Sequence, residues 1–188
     1  MLRHLPLSLV ILRFAIAPLL LLDALDHQAS AWFLVTYGVA IVSDIFDGII
    51  ARRLGVSTPT LRQADSWADV TLFVCLAIST GLIYPEVLVA FRVPLAIALV
   101  AQLSLYLLCL IKFGKAPSFH TYTAKAWGLM LLVAVIALYG WGASQWLWGA
   151  IAFCWVNSVE EILIALRLQT WQCDILSLWH VNQALEQE

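Results

Sequence analysis

The sequence predicts an all-α integral membrane protein with six transmembrane helices and a polar cavity that opens toward the cytosol. Of its 188 residues, 63% are hydrophobic and only 12% are charged, which is too apolar for an ordinary soluble domain. The chain is also long enough for six apolar runs of about 20 residues, the length that crosses a bilayer, joined by short loops. It contains no repeat, low-complexity run or linker, so we expect residues 1–188 to form a single domain.

The predicted spans follow the apolar runs in chain order: Leu5–Leu22, Ser30–Leu54, Ala64–Tyr84, Val87–Phe113, Thr123–Trp141 and Gln145–Leu168. The first run superficially resembles a signal peptide. However, Arg13 interrupts its apolar core, and Asp23 and Asp26 precede the small residues at which cleavage would occur, so we keep it as a span. Beyond the last span, Gln169–Glu188 is expected to form a cytosolic tail or surface helix.

The distribution of basic and aromatic residues predicts the orientation. With six spans both termini share a side, and all of the ten Lys and Arg residues except Arg92 fall on that side. Basic residues concentrate in cytoplasmic loops, and tryptophans form belts at the membrane interfaces. Trp32, Trp141, Trp146 and Trp148 cluster at the opposite interface. We therefore expect a multi-pass protein whose termini and polar cavity face the cytosol, in the inner membrane if the source is bacterial.

Four aspartates lie in the second and third predicted spans, at positions 44, 47, 65 and 69. A charged group at membrane depth costs about 2.5–3.5 kcal/mol on insertion scales, so four of them need a compensating partner. Asp44 and Asp47 are three residues apart and Asp65 and Asp69 are four apart, so each pair shares one helix face. On adjacent helices, the two pairs would direct four carboxylates toward one point. Carboxylate oxygens are the ligands that Mg²⁺ and Mn²⁺ prefer.

The run from Asp44 to Asp69 resembles the signature of the CDP-alcohol phosphotransferases, integral membrane enzymes of phospholipid synthesis. Their pattern, D-x2-D-G-x2-A-R-x8-G-x3-D-x3-D, is matched at seven of its eight fixed positions with the same spacing. The exception is Leu61, which replaces a glycine that the family places in a turn at the nucleotide pocket. The resemblance implies transfer of a phosphatidyl-type group from a CDP-linked lipid, with CDP-diacylglycerol as the expected donor, to a hydroxyl acceptor. CMP is then released.

The resemblance also implies a role for each matching residue. Asp44, Asp47 and Asp65 would be ligands of two Mg²⁺ or Mn²⁺ ions. Asp69 would be both a ligand of the second ion and the catalytic base that accepts the proton of the attacking hydroxyl. The residues expected to border the cytidine nucleotide are Gly48, Ala51 and Arg52.

A second polar cluster follows the fourth predicted span and ends in Ala124 and Lys125, which look like a variant of a Gly-Lys step in the family. Lys125 is expected either to contact an anionic substrate or to anchor the span to anionic lipid. The acceptor stays open. Residues Ile97–Gln102, where glycerophosphate-accepting relatives carry an arginine, contain no basic residue, which disfavours a glycerophosphate acceptor.

Two other functions stay open at this level. A divalent-cation transporter also uses intramembrane carboxylates, although it would distribute them over several helices near the midplane. An inactive, nucleotide-binding relative would be consistent with Leu61, whereas the intact Asp69 favours an enzyme. The expected partners are a CDP-linked lipid, a small alcohol acceptor and membrane lipids. No nucleic acid is expected, and a homodimer is one option for the assembly.

Overall fold

The computed structural model describes residues 5–56 and 58–185, apart from the side chains of Arg52 and of residues 182–185. Every regular element in these residues is helical, and six of the helices are long and apolar enough to cross a membrane. The predicted all-α, six-span fold is therefore confirmed. The α-helices of the described residues are α1 (Leu5–Asp23), α2 (Ala31–Arg53), α3 (Pro59–Ile83), α4 (Pro85–Ala90), α5 (Arg92–Phe113), α6 (Tyr122–Trp141), α7 (Leu147–Arg167) and α8 (Leu178–Leu185).

The start of α3 differs from the predicted span, which began at Ala64. The helix begins at Pro59, because Thr58 caps it and proline is well suited to the first helical position. The Thr58 hydroxyl oxygen accepts the backbone N–H of Leu61 at 3.2 Å. Leu61 therefore lies in the first helical turn, whereas the family resemblance placed this position in a loop-like turn.

The fourth predicted span is interrupted near its beginning. Helix α4 ends at Ala90 and α5 begins at Arg92, with Phe91 between them at φ −100° and ψ 10°. Pro94 in the first turn of α5 explains the break, because its ring would clash with the carbonyl four residues earlier in a continuous helix. The 22 residues of α5 still extend about 33 Å at 1.5 Å per residue, enough to cross the hydrocarbon core.

The chain divides into two compact units, and the first contains the described residues up to Ala90 together with Leu138–Gly142. In this unit α1 packs against both α2 and α3. The Ser79 hydroxyl of α3 donates to the Leu20 carbonyl of α1 at 3.3 Å, and Ala17 and Leu20 are fully buried. Helix α1 is therefore the common neighbour of the two helices that carry the aspartates.

The second unit contains Phe91–Ala137 and Ala143–Glu188, of which the part up to residue 185 is described. Helix α5 packs against α7, and α8 also packs on α7. Within the predicted tail, Leu178–Leu185 forms α8, and the segment before this helix contacts the loop that precedes α6. There, the Trp171 indole N–H donates to the Ala116 carbonyl at 3.0 Å. The expectation of one domain over residues 1–188 stays a prediction.

Large apolar side chains cover the outside of the long helices. Ile111 is 77% exposed and Trp141 is 78% exposed, and many leucines and valines of the spans are also exposed. Apolar surface on this scale is unfavourable in water but matches a hydrocarbon environment. The surface thus agrees with the composition in identifying a membrane protein.

Candidate active site

The four aspartates come together in the first unit. Asp44 and Asp47 on α2 and Asp65 and Asp69 on α3 all contact one side chain of α1. One oxygen from each of Asp44, Asp47 and Asp65 lies within 4.8 Å of the other two, close enough to coordinate one cation together. The side chains of Asp47 and Asp65 are buried, whereas those of Asp44 and Asp69 are 41% and 28% exposed. The cluster is therefore accessible from the edge where Asp44 and Asp69 lie.

The shared partner of the four carboxylates is Arg13 of α1, whose side chain is fully buried. Its Nη1 atom lies 2.9 Å from Asp65 Oδ1 and 2.6 Å from Asp69 Oδ1. Its Nη2 atom lies 3.0 Å from Asp44 Oδ1 and also contacts Asp47 Oδ2. One guanidinium group thus bridges the aspartate pairs of α2 and α3.

The sequence pattern did not predict this role of Arg13. It identified Arg13 only as a residue that interrupts an apolar run and as one of the basic residues on the cytosolic side. The available signal was its isolation in the first span, since a buried arginine in a membrane helix needs anionic partners. The four carboxylates outnumber the cations beside them, which are Arg13 and, at 3.8 Å from Asp65, Arg62. This excess negative charge favours binding of further cations.

A cleft adjoins the cluster between α1, α2 and α3. Its walls combine apolar side chains with two of the aspartates, and its lining residues are Pro6, Val10, Asp47, Ala51, Leu61, Arg62 and Asp65. Arg62 is buried, with its Nη1 atom 3.8 Å from Asp65 Oδ2. Gly48 and Ala51, two of the residues predicted to border a nucleotide, are buried on α2, and Ala51 is one of the lining residues. The side chain of Arg52, the third, lies outside the described residues.

Comparison with known proteins identifies the family. A family model described as CDP-alcohol phosphatidyltransferase matches residues 3–160, which is most of the chain. The chain belongs to the CDP-alcohol phosphatidyltransferase family. Searches of curated proteins and of solved structures found no match. The resemblance predicted from the aspartate motif is thereby confirmed.

Membership in the CDP-alcohol phosphatidyltransferase family establishes the general class of reaction. Its members are transferases that use a CDP-alcohol donor and an alcohol acceptor in phospholipid synthesis. Together with the six spans, membership makes this chain an integral membrane protein and a transferase of phosphate-containing groups. It also disfavours a cation transporter, one of the two other functions that the sequence left open.

Members of this family are generally dependent on divalent metals, and the aspartate cluster fits such ions. The donors are all carboxylate oxygens, which suits Mg²⁺ and Mn²⁺ better than softer metals. Asp44, Asp47 and Asp65 are close enough to share one ion, and Asp69 lies beside them on the next turn of α3. The Arg13 guanidinium contacts all four of these side chains, so a cation that binds here shares its ligands with Arg13.

Lys125 is a residue of the second unit, near the start of α6. Its side chain is exposed, with Nζ 5.2 Å from the ring centre of Tyr122. A polar network lies near it: the Asn157 side-chain oxygen accepts hydrogen bonds from Thr121 and Thr123, each at 3.0 Å. Glu160 in turn accepts the backbone N–H of Leu178. This network connects α6, α7 and α8, and the predicted substrate contact of Lys125 stays a prediction.

Proposed function

We propose that this protein transfers the phosphatidyl group of CDP-diacylglycerol to a small hydroxyl acceptor and releases CMP. The observation that carries the proposal is the convergence of four carboxylates from α2 and α3 in a chain of the CDP-alcohol phosphatidyltransferase family. In this proposal Asp44, Asp47, Asp65 and Asp69 hold two Mg²⁺ or Mn²⁺ ions.

The reaction joins an acceptor oxygen to the phosphorus of the phosphatidyl group and breaks the bond from that phosphorus to the CMP oxygen. When bound, the divalent ions neutralise the charge of the pyrophosphate. Asp69 takes the proton from the acceptor hydroxyl, as a general base does. Its position supports this role, because it is the more exposed aspartate of α3 and lies at the accessible edge of the cluster.

The nucleotide of the donor would bind against the residues that line the small cleft beside the cluster. Ala51 and Leu61 give the cleft apolar walls, and Asp47 and Asp65 connect it directly to the proposed metal ligands. Gly48 allows close approach of a ligand to the backbone of α2, and Arg52 would pair with a phosphate. Leu61 projects a larger side chain into this region than the glycine of the family pattern, so we propose that it narrows the nucleotide site.

Two further elements complete the proposal. Lys125 would contact an anionic acceptor or a lipid phosphate through its exposed ammonium group. The aspartate cluster would face the cytosol, where the basic residues of the sequence place the termini. The protein would then use cytosolic acceptors and release CMP on the same side. The presence of Asp69 favours this active enzyme over an inactive nucleotide-binding relative.

The proposal is tested with the purified protein in lipid nanodiscs, supplied with Mg²⁺, CDP-diacylglycerol and one acceptor at a time. The panel comprises glycerol 3-phosphate, inositol, inositol phosphate and serine, and released CMP is measured. We expect CMP release that depends on one acceptor and that is lost in Asp65→Asn. Asp26→Asn serves as the matched control, because Asp26 is exposed and lies outside the cluster. Equal CMP release by the protein and by Asp65→Asn would contradict the proposed site.

A further inference from the structure

We infer that Arg13 is a built-in counter-cation of the aspartate cluster, one that stabilises the metal-free site and competes with divalent cations for the four carboxylates. Arg13 thus acts through the four carboxylates and lowers the metal affinity of the site. The inference rests on the proposed function, because it takes the four aspartates as the metal ligands.

The geometry of the guanidinium is the first support. Each Nη atom of arginine carries two N–H donors, and here each Nη contacts two carboxylates. Nη1 contacts the two aspartates of α3, and Nη2 contacts the two aspartates of α2. All four terminal donors are thereby directed at the cluster. The remaining donor, Nε, is buried with no partner within the described part of the chain.

The burial of the cluster is the second support. Asp47, Asp65 and Arg13 are all nearly inaccessible, so water screens the repulsion between these two buried carboxylates only weakly. A cation among the carboxylates offsets this repulsion whether or not metal is bound. Arginine stays protonated at any physiological pH, so Arg13 provides that charge permanently.

Competition follows from these contacts. The oxygens that Arg13 engages belong to the same four side chains that would coordinate divalent ions. An arriving ion meets carboxylates that are already paired, and it is repelled by the positive guanidinium beside them. Removal of the guanidinium should therefore destabilise the metal-free protein and tighten metal binding. A residue that merely supported the fold, or that oriented the ligands for metal, would weaken metal binding when removed.

The test measures Mn²⁺ binding to the purified full-length protein in nanodiscs without substrate, using the electron paramagnetic resonance signal of free Mn²⁺. We expect Arg13→Gln to bind Mn²⁺ about tenfold more tightly than the unchanged protein, because one unit charge is removed from contact with the ligands. Arg13→Lys keeps the charge but lacks the fork that engages both pairs, so its affinity should lie between the two. Arg53→Gln is the matched control, because Arg53 is exposed at the end of α2, and its affinity should not change.

A second readout is thermal unfolding in excess chelator and after addition of Mn²⁺. Arg13→Gln should unfold at a lower temperature in chelator, and Mn²⁺ should stabilise it more than it stabilises the unchanged protein. If the unchanged protein and Arg13→Gln both bind Mn²⁺, and Arg13→Gln binds it with equal or weaker affinity, the inference is overturned and the proposed function stays intact. If Arg13→Gln does not fold, equal or weaker binding by Arg13→Lys overturns it instead. Absence of Mn²⁺ binding from every variant would remove the proposed metal site and the inference together.

Discussion

Replacement of Asp69 by asparagine tests the proposed catalytic role of this residue separately from its structural contact with Arg13. Asparagine preserves the shape of the side chain and keeps an oxygen that accepts a hydrogen bond from Arg13. In the unchanged protein, Arg13 Nη1 lies 2.6 Å from Asp69 Oδ1. It cannot accept the proton of an attacking hydroxyl at neutral pH. The other three carboxylates keep their contacts with Arg13. The substitution therefore removes the proposed base and leaves most of the cluster in place.

The expected loss of turnover is about 10²–10⁴-fold, the usual contribution of a general base. The expected loss of stability is small. The Asp69 side chain is 28% exposed, asparagine keeps an oxygen for Arg13, and Arg13 retains three carboxylate partners, so the loss should stay below the roughly 3–5 kcal/mol that breaking a fully buried ion pair costs. Binding of the CDP-linked donor should persist at reduced affinity, because three proposed metal ligands and the cleft are unchanged.

The assay compares CMP release, CDP-diacylglycerol binding and thermal unfolding for the protein and for Asp69→Asn in nanodiscs. Asp26→Asn controls for the loss of an acidic side chain, since Asp26 lies outside the cluster and its carboxylate accepts the backbone N–H of Gln28 at 2.9 Å. Near-normal turnover in Asp69→Asn would remove this residue from the base role. A large fall in unfolding temperature would show that Asp69 acts mainly as a structural partner of Arg13.

Two further predictions concern the cleft and the orientation. Leu61→Gly should lower the Michaelis constant for the CDP-linked donor, because the smaller side chain opens the cleft. The glycine should lower the stability of the protein by about 0.5–1 kcal/mol, since it lies in a helix. An unchanged Michaelis constant with reduced stability would show that Leu61 has only a structural role. In a background without the native cysteines, an impermeant thiol reagent added to intact cells should label Gln145→Cys and spare Leu54→Cys. Labelling of the cysteine at position 54 alone would invert the orientation, and labelling at both positions would contradict the span count.

The sequence was sufficient for the spans and for the aspartate pairs, because both depend on local periodicity. Asp44 and Asp47 share a helix face from their spacing alone, and so do Asp65 and Asp69. The start of α3 could also have been predicted, since Thr58 followed by Pro59 is a capping signal. The predicted span began later because it followed the hydropathy of the segment. The break after α4 follows in the same way from Pro94.

The role of Arg13 could not be derived from local pattern. Its partners are 31 to 56 residues away in the chain, and they reach it only because α1 packs against both α2 and α3. The basic-residue count that predicts orientation treats Arg13 as an interfacial cation, although its side chain is fully buried. The contact between the tail and the loop before α6 is likewise a tertiary feature, since Trp171 and Ala116 belong to different elements.

The proposed two-metal transferase activity is tested by the cation dependence of CMP release from CDP-diacylglycerol. The purified protein in nanodiscs, with its acceptor present, is assayed in Mg²⁺ or Mn²⁺, in excess chelator, and after the cation is restored. We expect CMP release with the cation, none in chelator, and recovery when the cation is added again. Because the four carboxylates would otherwise repel the pyrophosphate, robust CMP release in excess chelator would contradict the account.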